Sequence, residues 1–212
     1  MAKKATAEIE KNTSTEEKIK EAARRVFTQK GYAATRTRDI AEESGLNLAL
    51  INYYFRSKEK LFDIIIVEHL QLFIHSVMEI VNDPKTTLQQ KMEMLISHYI
   101  DMLIENPYIP IFVLNEINAN PEKLIEKLGF EKMQRENIYI IKQWEEMAAA
   151  KKTPAINPIH IVVNVLSMTI FPFIASPLLR NRTGMSLGEF NKLMEERKKL
   201  IPVWINAMIK NG

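Results

Sequence analysis

Between Arg36 and Lys60 the chain gathers side chains that hydrogen-bond to anions and to flat polar edges. Arg36, Arg38 and Lys58 bring positive charge, and Thr37, Ser57, Tyr53 and Tyr54 bring hydroxyls. Asn47 and Asn52 bring amides, which can donate and accept at once. Phosphate oxygens take hydrogen bonds from cations, hydroxyls and the free backbone amides at helix starts, while paired donors and acceptors are what base edges offer.

These groups must be held by short helices. Thr37 reads as an N-cap with Asp39 in the first turn, and Ile40 and Ala41 face inward. Ser44-Gly45 ends that helix, glycine supplying the positive φ of a sharp turn, and Leu46 packs into the corner. Asn47 caps the next helix, anchored by Ile51. Two short helices about a glycine turn make a helix-turn-helix. The second helix of such a unit enters the major groove N-terminus first, which places Asn47, Leu48, Ala49 and Asn52 against base edges. Leucine can meet a thymine methyl but reads no donor or acceptor, so base specificity is expected from Asn52, Tyr53, Arg36 and Arg38. One of Tyr53 and Tyr54 donates to a phosphate and the other packs inward with Phe55. Thr37 and Ser57 mark the two helix starts whose amides hold phosphates, flanked by Arg36, Arg38 and Lys58.

The run from Thr35 through Leu61 resembles the DNA-binding domain of the TetR family of transcriptional regulators. The matching features are Phe27, Gly31-Tyr32, Thr37-x-Asp39-Ile40-Ala41, Gly45, Tyr54-Phe55 and Ser57-Lys58-Glu59-x-Leu61. They fall in the first quarter of the chain. Asn47, Leu48, Ala49 and Leu50 stand where family members usually have Ser or Thr, then Lys, Gly and Thr, so this reading helix is unusually apolar. The resemblance implies a homodimer joined through the last two helices, each protomer giving two helices to a four-helix bundle. It also implies an inducer cavity among helices 4 to 8. Phe73, Met94, Tyr99, Phe112, Met133, Trp144, Met168 and Phe171 are the candidates to line it, or else they are plain core. Few charges lie among them, so the expected effector is small and apolar or cationic.

The remaining segments supply the frame. Residues 1–13 are polar and aperiodic and read as a flexible arm. Ser14-Thr15-Glu16-Glu17 reads as a capping box opening helix 1, with Ile19, Ala22, Ala23, Val26 and Phe27 on one buried face. Gly31 stops it. Helix 4 runs from Lys58 to about Val81, helix 5 from about Thr86 to Glu105, and helix 6 from Ile109 to Ala119. Helix 7 starts at Pro121 and could reach Ala150 unless Gly129 interrupts it. Helix 8 spans Ile159 to about Ala175, residues 176–186 form a loop, and a last helix follows Ser186 with a kink or a break at Pro202. The domain reading is an arm over 1–13, a helix-turn-helix DNA-binding domain over 14–60, and a helical regulatory and dimerisation domain over 61–212.

The fold class is therefore all-α, which suits 11 methionines against 6 glycines in 212 residues. Residues 1–60 hold 13 Lys and Arg against 9 Asp and Glu, a net +4, while residues 61–212 hold 16 against 17. That excess is compatible with nucleic-acid binding without proving it. With no cysteine, disulfides, thiolate metal sites and cysteine nucleophiles are excluded. His69 and His75 lack metal-ligand spacing, and no HExxH, GxSxG, phosphate loop or dinucleotide fingerprint occurs. No catalytic residue, cofactor or metal is expected. The N-terminus lacks the apolar core of a secretory signal, and Ile159 to Ile174 is shorter than a membrane span, so a cytoplasmic protein with no membrane contact is expected. The expected partners are a pseudo-palindromic double-stranded DNA operator, the effector and a second copy of the chain; the expected activity is ligand-responsive repression. The competing reading is a helical small-molecule binding protein or enzyme whose N-terminal motif no longer reads DNA, a reading the apolar Leu48 and Leu50 motivate.

Overall fold

The computed structural model describes residues 2–130, 138–150 and 157–211, with side chains from Ser14 to Ile209 within them. Ten helices account for nearly all of these: α1 (Ala2–Ala34), α2 (Thr37–Ser44), α3 (Leu48–Phe55), α4 (Lys58–Asn82), α5 (Leu88–Glu105), α6 (Ile109–Ala119), α7 (Pro121–Leu128), α8 (Tyr139–Ala149), α9 (Pro158–Thr183) and α10 (Leu187–Asn211). The all-α expectation holds: no strand occurs among the described residues. The chain parts into two compact units, Met1–Leu70 and Gln71–Gly212.

In the first unit the predicted stripe of α1 is buried throughout, from Ile19 to Phe27. Phe62 of α4 lies edge-on to Phe27 at 4.9 Å and against Tyr32 at 4.3 Å. This aromatic cluster ties the opening turns of α4 to α1 and explains why the unit extends past residue 60. Beside it, Glu17, Lys20, Arg24 and Glu68 close a ring of four ion pairs at 2.7–3.0 Å. Burial disfavours the Lys20 charge, but Glu17 and Glu68 outweigh it and hold its pKa above the ordinary value.

Helix α1 differs from expectation at its start. It begins at Ala2, so Ser14 is interior and caps nothing, and residues read as an arm are helical. That segment is rich in Ala, Lys and Glu and has no Gly or Pro, so nothing in it halts a helix once the first turn exists. Gly31, at φ 75° and ψ 160°, breaks the helix as expected, and a short turn to Ala34 follows.

The second unit is organised on α5, which packs against α8, α9 and α10. Its core joins Ile96, Ile100 and Leu103 of α5 to Ile161, Val165 and Phe173 of α9 and to Phe190, Met194, Ile201 and Ile205 of α10. Phe173 meets Phe190 edge to face at 5.5 Å. Thr87 caps α5, one residue later than read: its hydroxyl accepts from Gln90 N–H at 3.2 Å, and Gln90 Oε1 accepts from Thr87 N–H at 2.9 Å. Lys91 is fully buried on α5 with its ammonium donating to Asp83 O, Thr86 O and Thr86 Oγ1. It thereby satisfies carbonyls in the α4–α5 connection that the helices leave orphaned. Ser186 and Glu189 form the capping box read at the start of α10.

Two expected helices are redrawn. The long helix 7 is instead α7 and α8: Gly129, at φ 74° and ψ 17°, takes the left-handed conformation and returns its N–H to Glu126 O and Ile125 O. The loop expected over 176–186 is helix as far as Thr183, ended by Gly184 at φ 70°. Pro172 and Pro177 are carried inside α9 and Pro202 inside α10, because apolar helix formers on both sides outweigh one lost hydrogen bond at each. This extension, together with α4, gives two helices long and apolar enough to cross a membrane by length and hydropathy. On α9 the core takes Ile161, Val165, Thr169 and Phe173, while Ile159, Val162, Val163, Phe171 and Leu178 stay exposed.

Candidate nucleic-acid interface

The helix-turn-helix is built from capping and one glycine. Arg36, not Thr37, is the N-cap of α2: its N–H donates to Asp39 Oδ2 at 2.7 Å, while Asp39 N–H donates to Arg36 O at 3.0 Å. The frame slips one residue because the Asp39 carboxylate reaches back that far, leaving Thr37 half-buried in the first turn. The Arg36 amide, then the Lys30 ammonium at 3.0 Å, hold the Asp39 carboxyl below its ordinary range. Ile40, Ala41 and Ser44 bury the inner face of α2. Gly45, at φ 66° and ψ 24°, returns its N–H to Glu42 O, and Leu46 N–H reaches Ala41 O at 3.1 Å.

Asn47 caps α3 as read, its Oδ1 accepting from Leu50 N–H at 2.8 Å. That use leaves its two amide hydrogens unspent. Ile51 and Phe55 are buried and fix the rotation of α3 about its axis. The opposite side carries Ala49, Asn52 and Tyr53, spaced i, i+3, i+4 and all exposed. Leu48 and Leu50 are half-buried flanks of that side. Tyr53 is 76% exposed, whereas Tyr54 is half-buried between Tyr53 and Phe55. The structure thus separates the two tyrosines into one that meets solvent and one that packs.

The cations divide the same way. Arg25 pairs with Glu43 at 2.6 Å, and Lys30 with Asp39. Lys58, expected to face phosphate, lies over the Tyr32 ring at 4.2 Å and donates to Tyr32 O and Thr35 O, both at 3.0 Å. Two of its three N–H bonds are spent on the carbonyls ending α1. Ser57 Oγ accepts from Lys60 N–H at 3.1 Å and caps α4. The Glu59 carboxyl is held below its ordinary range by its own backbone amide, then by the Ser57 and Tyr32 hydroxyls. Arg36, Arg38, Arg56 and Lys60 are exposed and form no ion pair among the described residues. Arg56 and Lys60 are additions to the sequence-derived set.

In the second unit, an apolar cleft of about 230 Å³ is lined by Leu88, Met92, Ile140, Ile141, Trp144, Pro158, Ile159, Ile161 and Val162, with Glu145 as its one carboxylate. Trp144 alone of the eight expected cavity residues lies on it. Phe73 and Tyr99 pack edge to face at 4.7 Å, with His98 stacked on Phe73 at 5.0 Å. Phe112 is buried and Met168 packs against the core, whereas Met94 and Phe171 are exposed. Met133 lies outside the described residues. Among the described residues no cluster of His, Asp and Glu is placed to hold a metal ion.

An all-α chain with a capped helix-turn-helix and an exposed polar reading side defines a DNA-binding regulator. Residues 19–65 match the profile of the bacterial regulatory proteins of the tetR family. The chain is 24% identical over 204 residues to the probable HTH-type transcriptional regulator YttP of Bacillus subtilis (strain 168), covering 94% of this chain and 96% of that one. Among solved structures, it resembles a TetR/AcrR-family transcriptional regulator from Thermobifida fusca YX-ER1, with TM-score 0.62 and 18% identity over 88% of this chain and 96% of that one. It also resembles the regulator FadR from Bacillus subtilis in complex with stearoyl-CoA, with TM-score 0.53 and 18% identity over 86% and 95%. Residues 19–65 thus carry the tetR-family DNA-binding match, and the chain as a whole is similar to a probable transcriptional regulator and to the fold of TetR-type regulators.

Proposed function

We propose that the chain is a homodimeric repressor that binds a pseudo-palindromic operator and releases it when a small apolar effector binds the second unit. The observation that carries the DNA half is the side of α3 opposite Ile51 and Phe55. It presents Asn47, Ala49, Asn52 and Tyr53 to solvent, with Arg36 and Arg38 unpaired nearby in sequence. Asn47, Leu48, Ala49 and Asn52 meet base edges, while Tyr53, Thr37, Ser57 and the exposed arginines meet phosphates. Lys58 contributes by holding α4 to α1, and Tyr54 by packing. In this reading the first unit reads DNA and the second regulates and dimerises.

The dimer rests on the apolar side chains that α9 and α10 leave in solvent, among them Val162, Phe171, Leu178, Leu193, Leu200 and Val203. Each such side chain gains roughly 1.5–3 kcal/mol when fully buried. A pseudo-palindromic operator with half-sites one helical turn apart needs two copies of α3 about 34–36 Å apart, which a two-fold dimer would supply. The cleft is smaller than the roughly 300–1,000 Å³ of common ligand sites, so it takes a compact apolar molecule or one end of a longer chain. The end of a long acyl chain, such as that of the stearoyl-CoA which the FadR structure holds, is the first chemistry to try. Helix α4, unbroken from Lys58 to Asn82 and shared by both units, is the route by which effector binding shifts the population away from the DNA-fitting state.

The test is binding of labelled duplexes from the region upstream of the protein's own coding sequence. The native chain binds one fragment specifically, and Asn52→Ala with Tyr53→Ala weakens it about 10–100-fold while the dimer survives. Unchanged binding in the double variant would rule out α3 as the reading element, and failure to bind any fragment would favour a protein whose motif no longer reads DNA.

A further inference from the structure

Arg56 occupies a position that the local backbone would give to glycine. It is the only non-glycine residue with positive φ among the described residues, at φ 60° and ψ −40°. Ser57 N–H donates to Phe55 O at 2.6 Å across it, closing a γ-turn. This form of γ-turn is rare and strained for an L-residue. The turn joins α3 to α4, so it sets where the reading helix stops.

The Arg56 side chain contributes nothing to the fold that offsets this strain. It is exposed and forms no ion pair or side-chain hydrogen bond among the described residues. Arg25, Lys30 and Lys58 of the same unit are each tied to a carboxylate or to carbonyls, whereas Arg56, like Arg36, Arg38 and Lys60, is not. Arg56 falls one turn beyond Asn52 and three residues after Tyr53, both exposed on α3. A guanidinium left unpaired there, on a backbone held away from its preferred state, is a group whose partner lies outside the chain. Backbone strain of this kind is found where function fixes a residue.

We infer that Arg56 is a phosphate-binding residue of the DNA interface, clamping the backbone beside the C-terminal end of α3; this rests on the DNA-reading assignment above. The guanidinium matches two phosphate oxygens in a planar fork. Each phosphate neutralised adds about 0.9 to the slope of log affinity against log salt. A phosphate contact carries no base information, so it acts on operator and random-sequence duplex alike.

The experiment compares the full-length native chain with Arg56→Gly, Arg56→Ala and Arg56→Lys, by fluorescence anisotropy on labelled operator and random-sequence duplexes across a salt series. Thermal unfolding is followed in parallel. Arg56→Gly is expected to unfold about 2–4 °C higher, because the strain is relieved, and yet to bind both duplexes about ten-fold more weakly with the salt slope reduced by about 0.9. Arg56→Ala loses the same affinity and slope without the gain in stability. Arg56→Lys keeps the slope. If the native chain binds and Arg56→Gly matches it in affinity and slope, the inference is overturned while the DNA-reading assignment stands. If Arg56→Lys loses as much slope as Arg56→Gly, the charge is not what acts there and the inference is again overturned. A native chain that binds neither duplex overturns the inference and the assignment together.

Discussion

The two units treat apolar surface in opposite ways. In the first, Tyr53 is the only large hydrophobic or aromatic side chain among the described residues left well exposed, and it ends in a hydroxyl. In the second, Phe171, Leu178, Val162 and Val203 are each more than half exposed, with others beside them on α9 and α10. A unit that hides its apolar groups and shows amides and cations is finished for water and for a charged partner. A unit that leaves such surface open is finished only by an apolar partner. On the proposed reading, DNA meets the first and a second copy of the chain meets the second.

The comparison breaks most visibly at Phe171 and Val203. If α9 and α10 pair across a two-fold as proposed, replacing both with Asp introduces four charges there and should weaken the dimer on the order of 1,000-fold or more, about 4 kcal/mol. Sedimentation equilibrium reads this directly. A dimer that persists unchanged moves the interface elsewhere.

A smaller effect sharpens the contrast. Ile51→Ala and Ile205→Ala each empty a fully packed site and should each cost about 2–5 kcal/mol of unfolding free energy. Their consequences should differ: Ile51→Ala removes DNA binding while the purified chain stays dimeric, and Ile205→Ala lowers both. Denaturant unfolding with sedimentation and anisotropy on the same samples separates them. Equal loss of the dimer in both variants would show the units to fold as one.

The smallest effect is set by acid. In the first unit the Glu17, Asp39 and Glu59 carboxyls are held below their ordinary range, by the Lys20 hydrogen bond, the Arg36 amide and the Glu59 amide respectively. In the second unit Glu189 is held low by the Ser186 amide. A carboxyl with a lowered folded pKa stabilises above its unfolded value, near 4, and loses that contribution as pH falls through the lowered value. Acidification below about pH 4 should therefore loosen the first unit ahead of the second. Amide resonances followed by NMR from pH 6 downwards would show it, and simultaneous loss would refute it.

How much was legible follows from what kind of signal each feature leaves. Asn47, Ser57 and the Ser186–Glu189 box were readable because capping needs particular residue types at fixed spacing. The α1 stripe was readable because burial imposes a period. Thr37 was read one residue late because the cap is made by Asp39 reaching back to a backbone amide, which any residue could supply. The end of α9 was missed because Pro177 reads as a stop, whereas its neighbours carry the helix on to Gly184. The occupation of Lys58 and the strain at Arg56 leave no mark on residue type; they depend on where the end of α1 meets the start of α4. The cleft was the least legible, since Leu88, Ile140 and Val162 come from three helices and look like any core.

Lys91 has a chemical consequence of its own. Its ammonium is sealed beneath the α4–α5 connection with every hydrogen committed, and burial holds its pKa below the ordinary lysine value. Acylating reagents need an open approach to the amine, and here there is none while that corner stays folded. Among the protein's lysines it is a silent one, invisible to surface labelling and revealed only when the corner opens, so its labelling would serve as an internal clock for local unfolding.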